Sequence, residues 1–199
     1  CKKPGCTDPR AINYYPDATK DDGSCIFENN PRLINYRITE DKTLTNDTIW
    51  IFDGRIAVEN GATLTIEPGT IIKSRSGSGA SCTVLIITKE GKINAVGTSE
   101  EPIIFTSESD NIQIGERVSP NVSIRHCGTD IGAGNEINGL TFGCVGDCTI
   151  VNHIEVIGTT DDAFEFFGGT INTSYLLGDR YADDGIDIDQ GFNGKVSNS

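Results

Sequence analysis

The side chains in this chain most able to do chemistry are its acids, and they fall into two sets. The first lies between Cys6 and Cys25 and comprises Asp8, Asn13, Asp17, Asp21 and Asp22. All five are hard oxygen donors, and Ca2+ takes about six to eight such oxygens in irregular geometry. Their spacing is not that of an EF-hand. The same side chains also suit turns in which they accept hydrogen bonds from backbone amides. The second set is Asp161, Asp162, Glu165, Asp183, Asp184, Asp187 and Asp189. It sits in an internal echo: Asp161 to Gly169 is repeated by Asp183 to Gly191, 22 positions on, acid on acid and large apolar on large apolar.

Strand alternation assigns these acids to places. With Phe164 and Phe166, and Ile186 and Ile188, pointing inward, Glu165, Asp187 and Asp189 point outward. Stacked strands lie about 4.8 Å apart, so like charges there repel, raise one another's pKa or recruit a cation. Asp161, Asp162, Asp183 and Asp184 fall at the preceding turn, either as a second candidate metal set or as caps for backbone amides. Glu165 and Asp187 are also a candidate pair for glycoside hydrolysis, with Arg180 as a possible base. Against catalysis, the chain has only two histidines. His126 follows Arg125 near a turn, and His153 lies in an apolar strand. The pattern argues more for architecture and cation binding than for catalysis.

The elements that must hold these acids are short strands. From Ile49 the sequence alternates strand-forming runs with breaks rich in Gly, Asn and Pro: Ile49–Phe52, Arg55–Val58, Thr63–Ile66, Thr70–Lys73, then Val84–Thr88, Lys92–Ala95 and Ile103–Thr106. Residues 108–135 read as an irregular region with a large loop. Strands then resume at Asn138–Phe142, Thr149–Val151, His153–Ile157, Asp162–Phe167, Thr170–Asn172, Ser174–Leu177, Asp184–Asp189 and Gly194–Val196. A repeat of this length is one coil of a parallel β-helix. The expected fold is therefore all-β: a short right-handed parallel β-helix, three strands and about 22 residues per coil, preceded by a small disulfide-closed acidic loop module. Phe142, Phe164 and Ile186 are expected to stack as one inward column, and Ile154 and Leu176 as another. The expected organisation is a tether at 1–5, a module at 6–28, a linker and N-terminal cap at 29–48, and the β-helix at 49–199, incomplete at its C-terminal end.

Composition narrows the partners. The chain has 199 residues, 23 glycines, no methionine and a net charge of −13. So acidic a surface excludes nucleic acid as partner and suits cations. Seven cysteines point to an oxidising compartment. About fifteen pairings of six are open; by proximity they are Cys6 with Cys25 and Cys144 with Cys148, leaving Cys82 with Cys127. Cys1 is then odd, and a chain starting at Cys resembles a lipoprotein acylated there, with Lys2 to Gly5 as a tether.

Two stretches carry a family resemblance. The run Cys6-Thr7-Asp8-Pro9, Ala11-Ile12-Asn13-Tyr14 and Asp21-Asp22-Gly23-Ser24-Cys25 resembles a small module of Bacteroidota surface lipoproteins. Residues 55–196 resemble a secreted β-helix-like family of the same phylum without established activity. The resemblance rests on Val58 to Thr70, Asn135 to Gly143 and Asp161 to Gly169. It implies a location at the outer membrane or cell surface. Together with the residues, the expected protein is lipid-anchored, with a binding or structural role as an accessory of a larger outer-membrane assembly. Its implied partners are surface proteins and glycans. The alternative is a carbohydrate-binding or polysaccharide-cleaving protein. Asp47-Thr48-Ile49 resembles the O-glycosylation pattern of that phylum, with Thr48 as acceptor.

Overall fold

The computed structural model describes residues 2–9, 11, 13–25, 30–115, 120–132 and 135–197. It forms two compact units, Cys1–Pro31 and Arg32–Ser199. Cys1, the expected lipidation site, lies outside the described residues. No helix is long and apolar enough to cross a membrane among the described residues.

The small unit is closed by a Cys6–Cys25 disulfide with a 4.7 Å Cα–Cα distance. Two-residue strands at Pro4–Gly5 and Lys20–Asp21 pair parallel. Its polar residues hold turns. The Gly23 amide donates to Asp21 Oδ1 at 3.1 Å and the Ser24 amide to Asp22 Oδ1 at 3.0 Å.

Strand pairing in the larger unit is parallel among the described residues, except for one hairpin. Leu33–Ile34, Ile49–Phe52, Ile71–Ser74, Ile103–Ser107, Val122–Arg125, Ile150–Ile157, Asn172–Asp179 and Lys195–Ser197 form one eight-stranded sheet, every pair in it parallel. The remaining strands form shorter pieces. Lys42–Leu44, Thr63–Ile66 and Lys92–Ala95 make a three-stranded sheet, and Arg55–Val58 pairs with Val84–Ile87. Leu140–Gly143, Phe164–Phe167 and Ile186–Asp189 make another three-stranded sheet. Within the irregular middle region, Thr129–Gly132 and Asn135–Ile137 form an antiparallel hairpin.

Residues with positive φ turn the corners, and they stack. His126, Gly158 and Arg180 follow three paired strands and have φ of 54°, 69° and 55°. Cys144, Gly168 and Gln190 do the same at 52°, 64° and 52°. A side chain in the left-handed region costs roughly 1–2 kcal/mol. It persists where hydrogen bonds to the next layer fix it, as those from the His126 amide to Ile157 O and the Cys144 amide to Phe167 O do here. The same device merges elements the sequence separates. Ile150–Ile157 and Asn172–Asp179 are single strands bent at His153 and Tyr175, with φ of 53° and 54°.

The register also moves one expected column. Leu140 pairs with Phe164 and then Ile186, while Phe142 pairs with Phe166 and then Ile188. Ile150 pairs with Asn172, ten positions after Leu140 but eight after Phe164, so two extra residues lie between Gly143 and Thr149. The Ile154–Leu176 pair is as expected.

Two apolar cores run inside the unit. One gathers Ile34, Leu44, Trp50, Phe52, Ile56, Leu64 and Ile103. The other gathers Phe142, Val156, Phe164, Phe166, Ile171 and Leu176, with the Phe142 and Phe166 rings stacked at 4.7 Å. A third, smaller cluster of Ile71, Ile104 and Ile112 packs with Ile49.

Cys82, Cys127, Cys144 and Cys148 are free thiols, which corrects the two further bridges expected. Cys82 is buried. Burial, only partly offset by a hydrogen bond with Thr159, pushes the Cys127 thiol up to about 11. Cys144 leans toward Gly168 in its corner, and Cys148 Sγ lies 3.8 Å from Asp147 Oδ1.

Candidate functional site

Strands Phe164–Phe167 and Ile186–Asp189 bring the second acidic set together. Parallel pairing sets Glu165 directly beside Asp187 and Phe167 beside Asp189. Asp162 joins them from the turn before Phe164. One carboxylate oxygen each from Asp162, Glu165 and Asp187 lies within 4.8 Å of the others, and the same holds for Asp161, Asp162 and Asp183. Asp162 therefore belongs to both groups. Asp184 contributes differently: its amide donates to Asp162 Oδ1 at 2.8 Å.

Glu165 lies on the outward face expected of it, but it is covered there. It points away from Phe164 and Phe166 yet is only 7 % exposed. Asn138 covers it, its Nδ2 donating to Glu165 Oε2 in a very short contact. Asn138 can reach so far because Gly139 follows it: a Cβ there would lie 2.6 Å from Ala163 O. The Gly139 amide bonds Asp162 O at 2.9 Å, fixing the segment to the turn.

Among the described residues nothing basic pairs with these acids: no ion pair includes Asp161, Asp162, Glu165, Asp183 or Asp187. Arg180 pairs instead with Asp179 at 3.1 Å. The pKa shifts record the imbalance. Burial, then the charges of Asp162, Asp187, Asp161 and Asp189, push Glu165 up to about 7. Burial raises Asp162 as well, offset in part by the Asp184 amide and reinforced by Asp187, Asp183 and Asp184. Asp161 rises through burial and through Glu136, Asp162 and Asp183.

The first acidic set is not drawn together in this way. Asp17 pairs with Lys3 at 3.3 Å, Asn13 Nδ2 donates to Ser24 O, and Asp21 and Asp22 each hold an amide. Asp8 takes the Ala11 amide on its backbone carbonyl. Thr48 is half-buried at the bend before Ile49–Phe52. His153 is exposed and stacks on Tyr175 at 4.3 Å. His126 is exposed at a corner, and Arg125 pairs with Glu155 at 3.5 Å.

Asn138 is the residue the sequence reading did not single out. Its only mark there is its place before Gly139 at the head of a strand, and its importance depends on the register of the next strand.

Parallel strands in register, stacked corners and a row of acids across two strands define a β-helix-class domain. The family model of the pectate-lyase-like β-helix domain matches residues 36–117 and 121–199, and the chain belongs to that family. No curated protein and no solved structure matches it.

Proposed function

We propose that this is a binding or structural protein of the cell surface, built on a short β-helix of three strands and about 22 residues per coil. In this reading it is lipid-anchored at Cys1 and serves as an accessory subunit of an outer-membrane assembly. The observation that carries the choice of binding over turnover is the burial of Glu165 beneath Asn138. A general acid must reach the oxygen it protonates, and a carboxyl so enclosed has no room for a sugar ring. Arg180, the candidate base, is turned to Asp179. The Cys6–Cys25 bridge supports an oxidising compartment. The test is a pull-down from native membranes with wild type and Glu165→Ala/Asp187→Ala. Equal recovery of envelope proteins supports the reading, and intact mass reports an acyl addition on Cys1.

One observation favours polysaccharide cleavage as a second reading. Glu165, held near 7 beside Asp187, has the protonation expected of a general acid with a neighbouring carboxylate. Loss of glycan turnover in the double variant, with envelope partners retained, would select it.

A further inference from the structure

We infer that Asn138, Asp162, Glu165 and Asp187 form an internal site for one divalent cation of the calcium class, clamping three strand layers together. The carboxylates converge within 4.8 Å. Each gives one oxygen to a protein donor: Asp162 Oδ1 to the Asp184 amide, Glu165 Oε2 to Asn138 Nδ2 and Asp187 Oδ1 to the Ile188 amide. The second oxygen of each carries no hydrogen bond among the described residues.

A separate observation points to a ligand. Asn138 is 8 % exposed, and its Oδ1 is buried without any hydrogen-bond partner. The carboxamide that carries this oxygen leans on Glu165. A buried acceptor left unsatisfied costs about 1–3 kcal/mol. Three carboxylates with no basic partner add a larger electrostatic cost. A single cation satisfies both, because the amide oxygen and the carboxylate oxygens are ligands of the same hard type. Mixed amide and carboxylate donors with loose geometry suit Ca2+, while Mg2+ demands a near-ideal octahedron and retains several waters. Asp162 and Glu165 are each under one-tenth exposed, and Asp187 is half-buried at the outer side of the group. The clamp spans the segment before Leu140–Gly143, the strand Phe164–Phe167 with its preceding turn, and the strand Ile186–Asp189.

The test uses the whole chain dialysed against EDTA, then given CaCl2 or MgCl2 alone, with native mass spectrometry and thermal melting as readouts. The expected result is about one Ca2+ per chain with a melting temperature raised by several degrees, and little response to Mg2+. Glu165→Gln/Asp187→Asn should retain no ion and melt alike with and without Ca2+. Asn138→Ala should bind roughly tenfold more weakly. Asp21→Asn/Asp22→Asn should bind as wild type does, which separates this site from the N-terminal module. A wild type that takes up no ion, or an ion that survives Glu165→Gln/Asp187→Asn, overturns the proposal, as does an equal response to Mg2+. Should the double variant fail to fold, wild type with Asn138→Ala decides the matter: unchanged affinity in Asn138→Ala also overturns it.

Discussion

The eight-stranded sheet and the acidic three-stranded sheet both cover carboxylates on the side away from the core, and they treat them in opposite ways. On the sheet, Ile49, Ile71, Ile104, Ser123, Glu155 and Leu177 form one lateral row through successive pairings. Glu155 is 4 % exposed and satisfied: Ser123 Oγ donates to it at 2.6 Å, Arg125 Nε donates to Ser123 Oγ at 2.8 Å, and Arg125 Nη2 lies 3.5 Å from the carboxylate. Asp110, nearby, accepts from Thr106 Oγ1 and the Ile112 amide. On the three-stranded sheet that carries Phe164–Phe167, Glu165 has one amide donor, and the charges acting on it are like its own. Enclosed acids in one domain thus separate into those that stabilise it unaided and those that strain it. The strained ones are where a ligand has most to contribute.

The largest test of this difference removes the paired acid. Glu155→Ala takes the acceptor from Ser123 Oγ and the ion-pair partner from Arg125 Nη2, and breaking a buried pair costs about 3–5 kcal/mol. Urea unfolding should show that loss. The strained acid should behave in the reverse sense. Glu165 has its folded pKa raised from 4.5 to about 7. Between those values the folded state holds more protons than the unfolded one, so stability falls as pH rises from about 4.5 to about 7. The full span is on the order of 3 kcal/mol. In EDTA, Glu165→Gln should flatten that decline and be the more stable protein at pH 8. A variant as steep as wild type would mean that the acidic sheet is not strained. A smaller effect tests the contact that encloses Glu165. Gly139→Ala crowds Ala163 O and should cost about 1–3 kcal/mol, measured by thermal melting at fixed pH.

What the sequence could reveal about these two regions differs for a physical reason. The 22-residue echo exposed Glu165 beside Asp187, because parallel pairing keeps equivalent positions adjacent. Strand positions such as Ile49–Phe52, Arg55–Val58 and Thr63–Ile66 were legible from alternation and from their Gly- and Pro-bearing breaks. The register between Leu140–Gly143 and Phe164–Phe167 was not. It depends on two extra residues in a corner that look like any other loop. That shift is also why Asn138, and not a later residue, comes to rest on Glu165. The bends at His153 and Tyr175 were hidden because a left-handed backbone is uncommon outside glycine and tyrosine does not announce one. The Ser123–Arg125–Glu155 network was equally hidden, since its members come from strands separated by a long irregular connection.

The finest test sets Asp110 against Glu165 in acid. Burial pushes Asp110 up, but the hydrogen bonds from Thr106 and Ile112 and the charges of His126 and Arg125 carry it below the ordinary carboxylate value of 3.8. A depressed folded pKa contributes stability that is present above the unfolded value and is lost as pH falls through the folded one. Asp110→Asn should therefore lower stability at neutral pH by under about 1 kcal/mol, the scale of a part-exposed charged contact, and flatten the limb below pH 4. Glu165→Gln alters the limb above that pH and leaves the acid limb unchanged. Urea midpoints from pH 2 to pH 8 for both variants resolve the two limbs separately. If Asp110→Asn also flattened the decline toward neutral pH, the two acids would be coupled, and paired and strained regions would be one electrostatic unit. The separate placement of Asp110 against the eight-stranded sheet and of Glu165 in the three-stranded one makes independence the expected outcome.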